Sequence, residues 1–488
     1  MALNLVSQVA LAEMGFVHPL QTTTRHDTGT GQTLQGRRYG ALATGQGIQG
    51  SSMAARLDQG QQDFEARFTE LLAAKREADV DVGEAVATII ADLRRRGDAA
   101  LLDLTARFDR LQADNVAALA VGRDEIDAAL DGLTPALRQS LETAATRIRS
   151  FHERQRPQGF DYTDDAGVGL GMRYTPVDSA GLYVPGGKAA YPSSVLMNAM
   201  PAAVAGVGRR VIVVPAPDGF VSPMVLAAAG IAGVDEIWRI GGAQAIAALA
   251  YGTETITPVD KIVGPGNAYV AAAKRQVYGT VGIDSIAGPS EILVIADADN
   301  DPAWIAIDLL SQAEHDEAAQ AILITDDRDF ADAVEAAVEA SLATLARAPV
   351  ARQSWQDNGA IITVDTMEAM PALANRIAAE HLELAVAEPR RWLDEIRHAG
   401  AVFLGRYTPE AVGDYVAGPN HVLPTARTSK FSSGLGVADF MKRTTTVECN
   451  AESFGAIAPA GITLAEAEGL GAHALSMSIR MNARGADG

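Results

Sequence analysis

Apolar positions along the chain follow two rhythms. In "DFEARFTELLAAKREADVDVGEAVATIIADLRRRGDAALLDLTARFD" they recur every three or four residues, which lays an apolar stripe along one helix face. Short runs rich in β-branched residues come next. "GLYVP", "RVIVVPAP", "EIWRIGG" and "KIVGPG" predict strands, with helical stretches such as "SSVLMNAMPAAVAGV" and "SPMVLAAAGIAG" between them. A second series repeats the plan: "EILVIAD", "AAQAILITDD", "GAIITVD" and "GAVFLG" are separated by "AWIAIDLLSQAEHD", "FADAVEAAVEASLATLA" and "EAMPALANRIAAEHLEL". Strand and helix alternating on this scale predict two α/β units built on parallel sheets. The last 50 or so residues read as helical, without further strands.

The first 52 residues lack either rhythm. "TTTRHDTGTGQTLQGRRYGALATGQGIQGSS" is rich in Thr, Gly and Gln and reads as a flexible leader, with Met53 as the expected start of the organised chain. A transit peptide fits it less well, because Glu13 and Asp27 sit among its arginines.

Composition then narrows the function. With 488 residues the chain can bury several cores, and it is 48% hydrophobic and 21% charged. Its formal charge of -21 and pI near 4.8, without a basic block, argue against nucleic acid or an anionic membrane surface as partner. Cys449 is the only cysteine, so no internal disulfide can form, and a reducing cytoplasm is the expected compartment. No apolar run reaches the roughly 18 residues of a membrane-spanning helix.

A dinucleotide fingerprint is missing: no G-x-G-x-x-G lies between a strand and a helix, and "GVGLGM" at Gly167 to Met172 has the wrong spacing. Other glycine turns follow strands, in "VPGGKAAYPSS", "IGGAQAI" and "GPGNAYV". They would let a backbone approach a phosphate-bearing ligand, but tight turns alone account for such runs equally well. The tripeptide Ala-Glu-His occurs twice, in "SQAEHDE" and "AAEHLEL". On a helix, Gln312 and His315 share a face and can converge on one ion, whereas the adjacent Glu314 points about 100° away. A solvated polar face is the competing reading. "AVGDYVAGPNHVLPT" reads as a loop offering Asp414 and His421, and "AEAEGLGAHALS" offers Glu468 and His473; a capped turn and an exposed helix remain open for these.

Taken together and in order, "GPSE", "SQAEH", "AEHL", "GDYVAGPNHVLPT" and "FSSGLGVADFMKR" resemble the histidinol dehydrogenase family, over about nine tenths of the chain from Met53 on. The resemblance implies one zinc per subunit, held by Gln312, His315, Asp414 and His473, with His473 supplied to the partner's site across an intertwined homodimer. It implies Glu380 and His381 as the proton-transfer pair, and substrate contacts from Ser290, Glu468, His421, His381 and the zinc ligands. NAD contacts would fall to Tyr183, Gln244 and Asn267, each in one of the glycine turns. The implied reaction is oxidation of L-histidinol through L-histidinal to L-histidine, reducing two NAD+.

The implied fold is α/β, with two incomplete Rossmann-like units and small helical terminal domains. Its boundaries would be a leader over 1–52, a helical segment over 53–78, a first α/β domain over 79–179 and 290–435, a second, NAD-side domain over 180–289, and a swapped helical domain over 436–488. The leader has no counterpart in the family. Two other readings stand beside this one. A relative of the same fold could oxidise another polar alcohol such as a sulfonated diol, keeping zinc and the Glu-His pair but changing the imidazole-facing contacts. A catalytically inactive binding or assembly protein would need no intact ligand set. Cys449, a conceivable thiol nucleophile for the aldehyde step, has no base near it in sequence.

Overall fold

The strand segments Glu291–Ala296 and Gln320–Thr325 are buried at every position, so both of their faces need a cover. Parallel strands crossed by helices supply it. In the computed structural model, which describes residues 54–74, 82–186, 191–234, 236–286 and 288–481, they lie at the centre of a six-stranded sheet. The expected leader, its methionine and part of the "VPGGKAAYPSS" turn lie outside those residues.

The six strands run in the spatial order Ala55–Asp58, Ala360–Thr363, Gln320–Thr325, Glu291–Ala296, His381–Ala385 and Ala401–Leu404, all parallel. Side chains alternate between two cores. Ile292 and Val294 pack with Ile305, Leu309, Val334 and Trp355 of the helices on one side. Leu293 and Ile295 pack with Phe64, Phe68, Leu373 and Trp392 on the other.

A second, five-stranded parallel sheet has the order Glu236–Trp238, Arg209–Val213, Ser179–Tyr183, Lys261–Val263 and Gly282–Ile283. Numbered along the chain, its strands stand 3-2-1-4-5. The large sheet has the same order, with Ala55–Asp58 added outside its third strand. The helices that follow strands one and two share one core with Ile212, and those that follow strands three and four share the other with Val211 and Val213. This is the doubly wound plan, which opens a crevice between strands one and four.

Four expectations are corrected. The segment "HLEL", read from sequence as the end of the helical stretch "EAMPALANRIAAEHLEL", belongs to the strand His381–Ala385, because the helix stops at Ile377 and the residues beyond Ala378 are buried between two parallel neighbours. Helices between Gly83 and Glu153, placed by sequence with the first α/β unit, bury Val86, Leu93, Leu101, Ile126 and Ile148 in the two cores of the five-stranded sheet. An amphipathic stripe records that a helix has a buried face but not which sheet receives it. Residues 55–58, placed in a helical segment, form a strand pairing with Ala360–Thr363. The C-terminal region holds the strand Met441–Glu448, paired antiparallel with Gly169–Pro176 in a three-stranded sheet completed by Phe160–Thr163. Its Thr444, Thr445, Thr446 and Val447 are β-branched, and that run outweighs the helical pattern after it.

Helices Ala451–Ala467 and Gly471–Met481 then pack on each other and leave Ile457, Leu464, Leu470, Leu475 and Ile479 exposed. Among the described residues, no helix is long and apolar enough to cross a membrane.

Candidate active site

At the amino edge of the large sheet, Glu291 opens the first strand and His381 opens the fourth, with His381 opposite Ile292 in the pairing. The two backbone groups of Glu291 hold both members of the Glu-His pair. Its N–H donates to Glu380 Oε2 at 2.9 Å, and its carbonyl accepts from His381 Nδ1 at 3.1 Å. A carbonyl can only accept, so Nδ1 carries the proton and Nε2 keeps a lone pair. Nε2 is buried without a hydrogen-bond partner among the described residues, 3.9 Å from Asp414 Oδ1 and 4.0 Å from Glu410 Oε1. Burial pushes His381 down to about 4 against the opposing pull of Asp414, so the ring is neutral at pH 7.

Strained backbone surrounds the pair. Ala378, two residues before Glu380, ends the helix Met370–Ile377 at φ 51°, a left-handed conformation that costs a side-chain-bearing residue about 1–2 kcal/mol. Its carbonyl accepts from Ser429 Oγ at 2.8 Å. Ala426 and Arg427 also have positive φ, and the Ala426 N–H donates to Glu291 Oε1 at 3.0 Å. Hydrogen bonds on either side thus hold the strained segments against the edge that carries Glu380 and His381.

Gln312 and His315 reach the same edge from a helix. Pro302–Ala313, capped by Asp301, starts after the first strand and ends before the second, so its C-terminal turn returns to the strands' amino ends. Gln312 is buried in that turn; His315, exposed just beyond it, has Nδ1 3.1 Å from Gln312 Nε2. Gln312 Oε1 is a buried acceptor with no hydrogen-bond partner among the described residues. The carbonyl of Glu314 accepts from Arg347 Nε at 2.8 Å, which ties down the helix end.

Asp414 lies on the short helix Glu410–Tyr415 and not on the expected loop. Pro409 starts that helix, and Gly413 fits because a Cβ there would collide with the Phe403 ring. His421 does lie in the loop beyond. Its Nδ1 donates to the Asp414 carbonyl at 3.1 Å and stands 3.7 Å from Asp414 Oδ1, while Nε2 is 3.4 Å from Ser194 Oγ. Burial lowers the His421 pKa, and the charge of His315 adds to the lowering of both His421 and His381.

Behind these residues sits a carboxyl cluster that sequence reasoning missed. Ser311 Oγ donates to Glu410 Oε2 at 3.1 Å, and the Glu410 N–H donates to Glu383 Oε1. Burial, then the charge of Asp414, pushes Glu410 up to about 8; burial and the charge of Asp308 raise Glu383 well above the usual carboxylate range. Asp308 itself is pushed up to about 6 by burial. One signal lies in the chain: Glu383 is an acid between two leucines in "HLELA", which the structure shows to be a fully buried strand.

The donor set suits a metal. His381, Glu410 and Asp414 each have a donor atom within 4.8 Å of the others, and the orphaned Gln312 Oε1 and His381 Nε2 are acceptors lacking a donor. Nitrogen and carboxylate ligands of this kind fit zinc. Of the expected zinc ligands only Asp414 belongs to that group of three: His315 lies outside it, and His473, like the expected substrate contact Glu468, is exposed in the C-terminal helical region. Ser290 is half-buried beside Glu291, and its carbonyl accepts from Gln320 at 3.0 Å.

The three expected cofactor residues gather at the opposite edge of the other sheet. Tyr183 ends strand one, and its hydroxyl accepts from the Gly242 N–H at 3.1 Å. Burial pushes that phenol up to about 12, so it stays protonated. Gln244 is buried in the first turn of helix Gly242–Tyr251, after strand three. Asn267 caps helix Ala268–Val277 after strand four, its Oδ1 accepting from Tyr269 and Val270 at 3.1 and 3.2 Å. Tyr183 and Asn267 therefore flank the crevice between strands one and four.

Two doubly wound sheets, one with a crevice at its carboxyl edge and one with a polar cluster of acid and imidazole at its amino edge, define a dehydrogenase-like α/β enzyme. The family model for histidinol dehydrogenase matches residues 72–481. The histidinol dehydrogenase of Rhodospirillum rubrum is 64% identical over 431 residues, covering 88% of this chain and 99% of its own. That of Ruegeria pomeroyi is 62% identical, covering 87% and 98%. The crystal structure of histidinol dehydrogenase from Elizabethkingia anophelis superimposes with a TM-score of 0.83 at 35% identity, over 88% of this chain and 98% of that one. The chain belongs to the histidinol dehydrogenase family, and with it to the NAD-dependent oxidoreductases of amino-acid biosynthesis.

Proposed function

We propose that the chain oxidises L-histidinol through L-histidinal to L-histidine, with reduction of two NAD+ and uptake of one water. The observation that carries the mechanism is the state of His381: buried, neutral, its Nδ1 bound to the Glu291 carbonyl and its Nε2 lone pair turned toward Asp414. That lone pair takes the substrate hydroxyl proton in the first oxidation. Glu380, anchored through Oε2 on the Glu291 N–H, takes a proton from the water that adds to the aldehyde in the second. Holding both groups on one residue fixes their separation through the two half-reactions.

Gln312, His315 and Asp414 are the ligands this chain would give to a zinc ion, with His473 from a second copy completing the set. Zinc bound there would polarise the substrate oxygen, and NAD+ bound beside Tyr183, Gln244 and Asn267 would accept hydride. The exposed apolar residues on the C-terminal helices, which flank Glu468 and His473, support docking of those helices on the partner of a homodimer, where Glu468 would reach the substrate. Ser290 and His421 would line the same substrate site. The domain division proposed is two α/β units with a swapped C-terminal unit, in a cytoplasmic enzyme.

Stoichiometry tests the reading. Two NADH should form per L-histidinol, and a zinc chelator should abolish turnover. One NADH with release of the aldehyde, or turnover only of other polar alcohols such as a sulfonated diol, would overturn it.

A further inference from the structure

Lys274 and Asp284 form an ion pair with 2% and 5% of their side chains exposed, far from the proton-transfer pair in sequence and on the other sheet. Burying two charges costs several kcal/mol per ion, and hydrocarbon of the same volume often holds a fold at least as well. The pair is therefore poor economy for stability alone, and its hydrogen bonds indicate what else it does. Lys274 Nζ donates to the Gly264 carbonyl at 3.0 Å, and the Gly264 N–H donates to Asp284 Oδ2 at 2.7 Å. Both backbone groups of one glycine are thus clamped by the two halves of one buried pair.

Gly264 is a demanding position. Its φ is 110°, and a Cβ there would overlap the carbonyl of Tyr183 on the neighbouring strand. It opens the turn Gly264–Asn267, which leaves strand four and enters the helix that Asn267 caps. Lys274 comes from that helix, and Asp284 from the end of strand five, where its N–H donates to the Ile262 carbonyl at 3.3 Å. The clamp joins the end of strand four, the following helix and the end of strand five at the crevice where Tyr183 and Asn267 lie.

We propose that Lys274 and Asp284 are positioning residues for the cofactor: they preset the Gly264–Asn267 turn in the shape that binds NAD. This rests on the reading of Tyr183 and Asn267 as the NAD side. Without the clamp, the turn would have to be ordered by the ligand, and the cost would appear as lost dinucleotide affinity.

The test uses the zinc-loaded full chain carrying the charge-free pair K274M/D284L, which removes both ions together and avoids leaving one buried alone; D284N, which keeps an acceptor for Gly264, is the second variant. NADH binding, followed by its fluorescence, should weaken about tenfold in the pair variant, with KM for NAD+ rising in parallel, the cost of ordering one or two residues. The kcat at saturating NAD+ and the KM for L-histidinol should stay within about twofold in that variant, while D284N falls between it and the parent. A purely structural role would move the Tm and leave NADH affinity alone, and a folded pair variant with unchanged NADH affinity overturns the proposal. N267A separates the two readings. If it too leaves NADH binding unchanged, the turn is not the dinucleotide site; if it weakens binding and the pair variant does not, only the positioning role falls.

Discussion

In the five-stranded sheet the candidate NAD residues stand at or beyond the carboxyl ends of their strands, whereas in the six-stranded sheet the candidate proton-transfer residues stand at the amino end of theirs. The strand order is the same, so topology does not choose the edge. The helix ends offer a physical reason. At the carboxyl edge, helix Ala268–Val277 presents its N-terminus, the positive end of its dipole, as a phosphate-bearing ligand requires. At the amino edge, helix Pro302–Ala313 presents its C-terminus, the negative end, beside Gln312 and a group of carboxyls, as a cation requires. One plan used twice thus provides an anion end and a cation end.

That division of labour can be broken by experiment. His381→Ala should lower kcat by about 10³-fold, within the range for loss of a general base, while zinc content and NADH affinity stay at the parent values. A parallel loss of NADH affinity, read by fluorescence titration, would show that the edges are not separate. Gln312→Ala should weaken zinc by at least roughly the 10–100-fold that even loss of an outer partner costs, measured by chelator competition, with turnover restored by excess metal.

Asn267→Ala acts at the other edge. It removes a helix cap and should cost about 1 kcal/mol in denaturant unfolding, together with a raised KM for NAD+ and unchanged zinc affinity.

The smallest effect concerns His152, outside both sites. It is fully buried, donates from Nδ1 to the Ile148 carbonyl at 2.8 Å, and has its pKa lowered from 6.5 by burial. The unfolded chain takes up a proton there more readily than the folded one, so this contribution to stability is complete above pH 6.5 and declines as the pH falls toward the lowered value. His152→Asn should reduce the slope of unfolding free energy against pH in that window; an unchanged slope would remove His152 as its source.

Much of this was legible in the chain. Apolar runs bounded by glycine turns located most strands of both sheets from Ser179 onward, because a strand buried on both faces leaves a clear local pattern; Gly282–Ile283 and His381–Ala385 escaped, the first too short and the second continuous in sequence with an amphipathic helix. The two Glu-His copies were separable in part: Gln312 precedes His315 by a helical spacing, while the place of Glu380 and His381 at a strand start emerged only from the structure. Glu410 and Asp308 were not legible. Their neighbours are ordinary helix positions, and burial among other carboxyls comes from three segments meeting. Glu291 was legible only as a letter in "GPSE", because what it does is done by its peptide groups.

By itself, the sequence determined local matters: most of the helix and strand segments, where glycine is needed, and which side chains can carry a proton or bind a metal. Those depend on residue type and spacing over a few positions. Only the tertiary structure decided that helices between Gly83 and Glu153 serve the second sheet, that Glu291 holds Glu380 and His381 at once, and that Lys274 and Asp284 close on Gly264. Each of these needs groups from distant parts of the chain to be brought together and shielded from water. Burial of that kind belongs to the packed arrangement, and no stretch of sequence contains it.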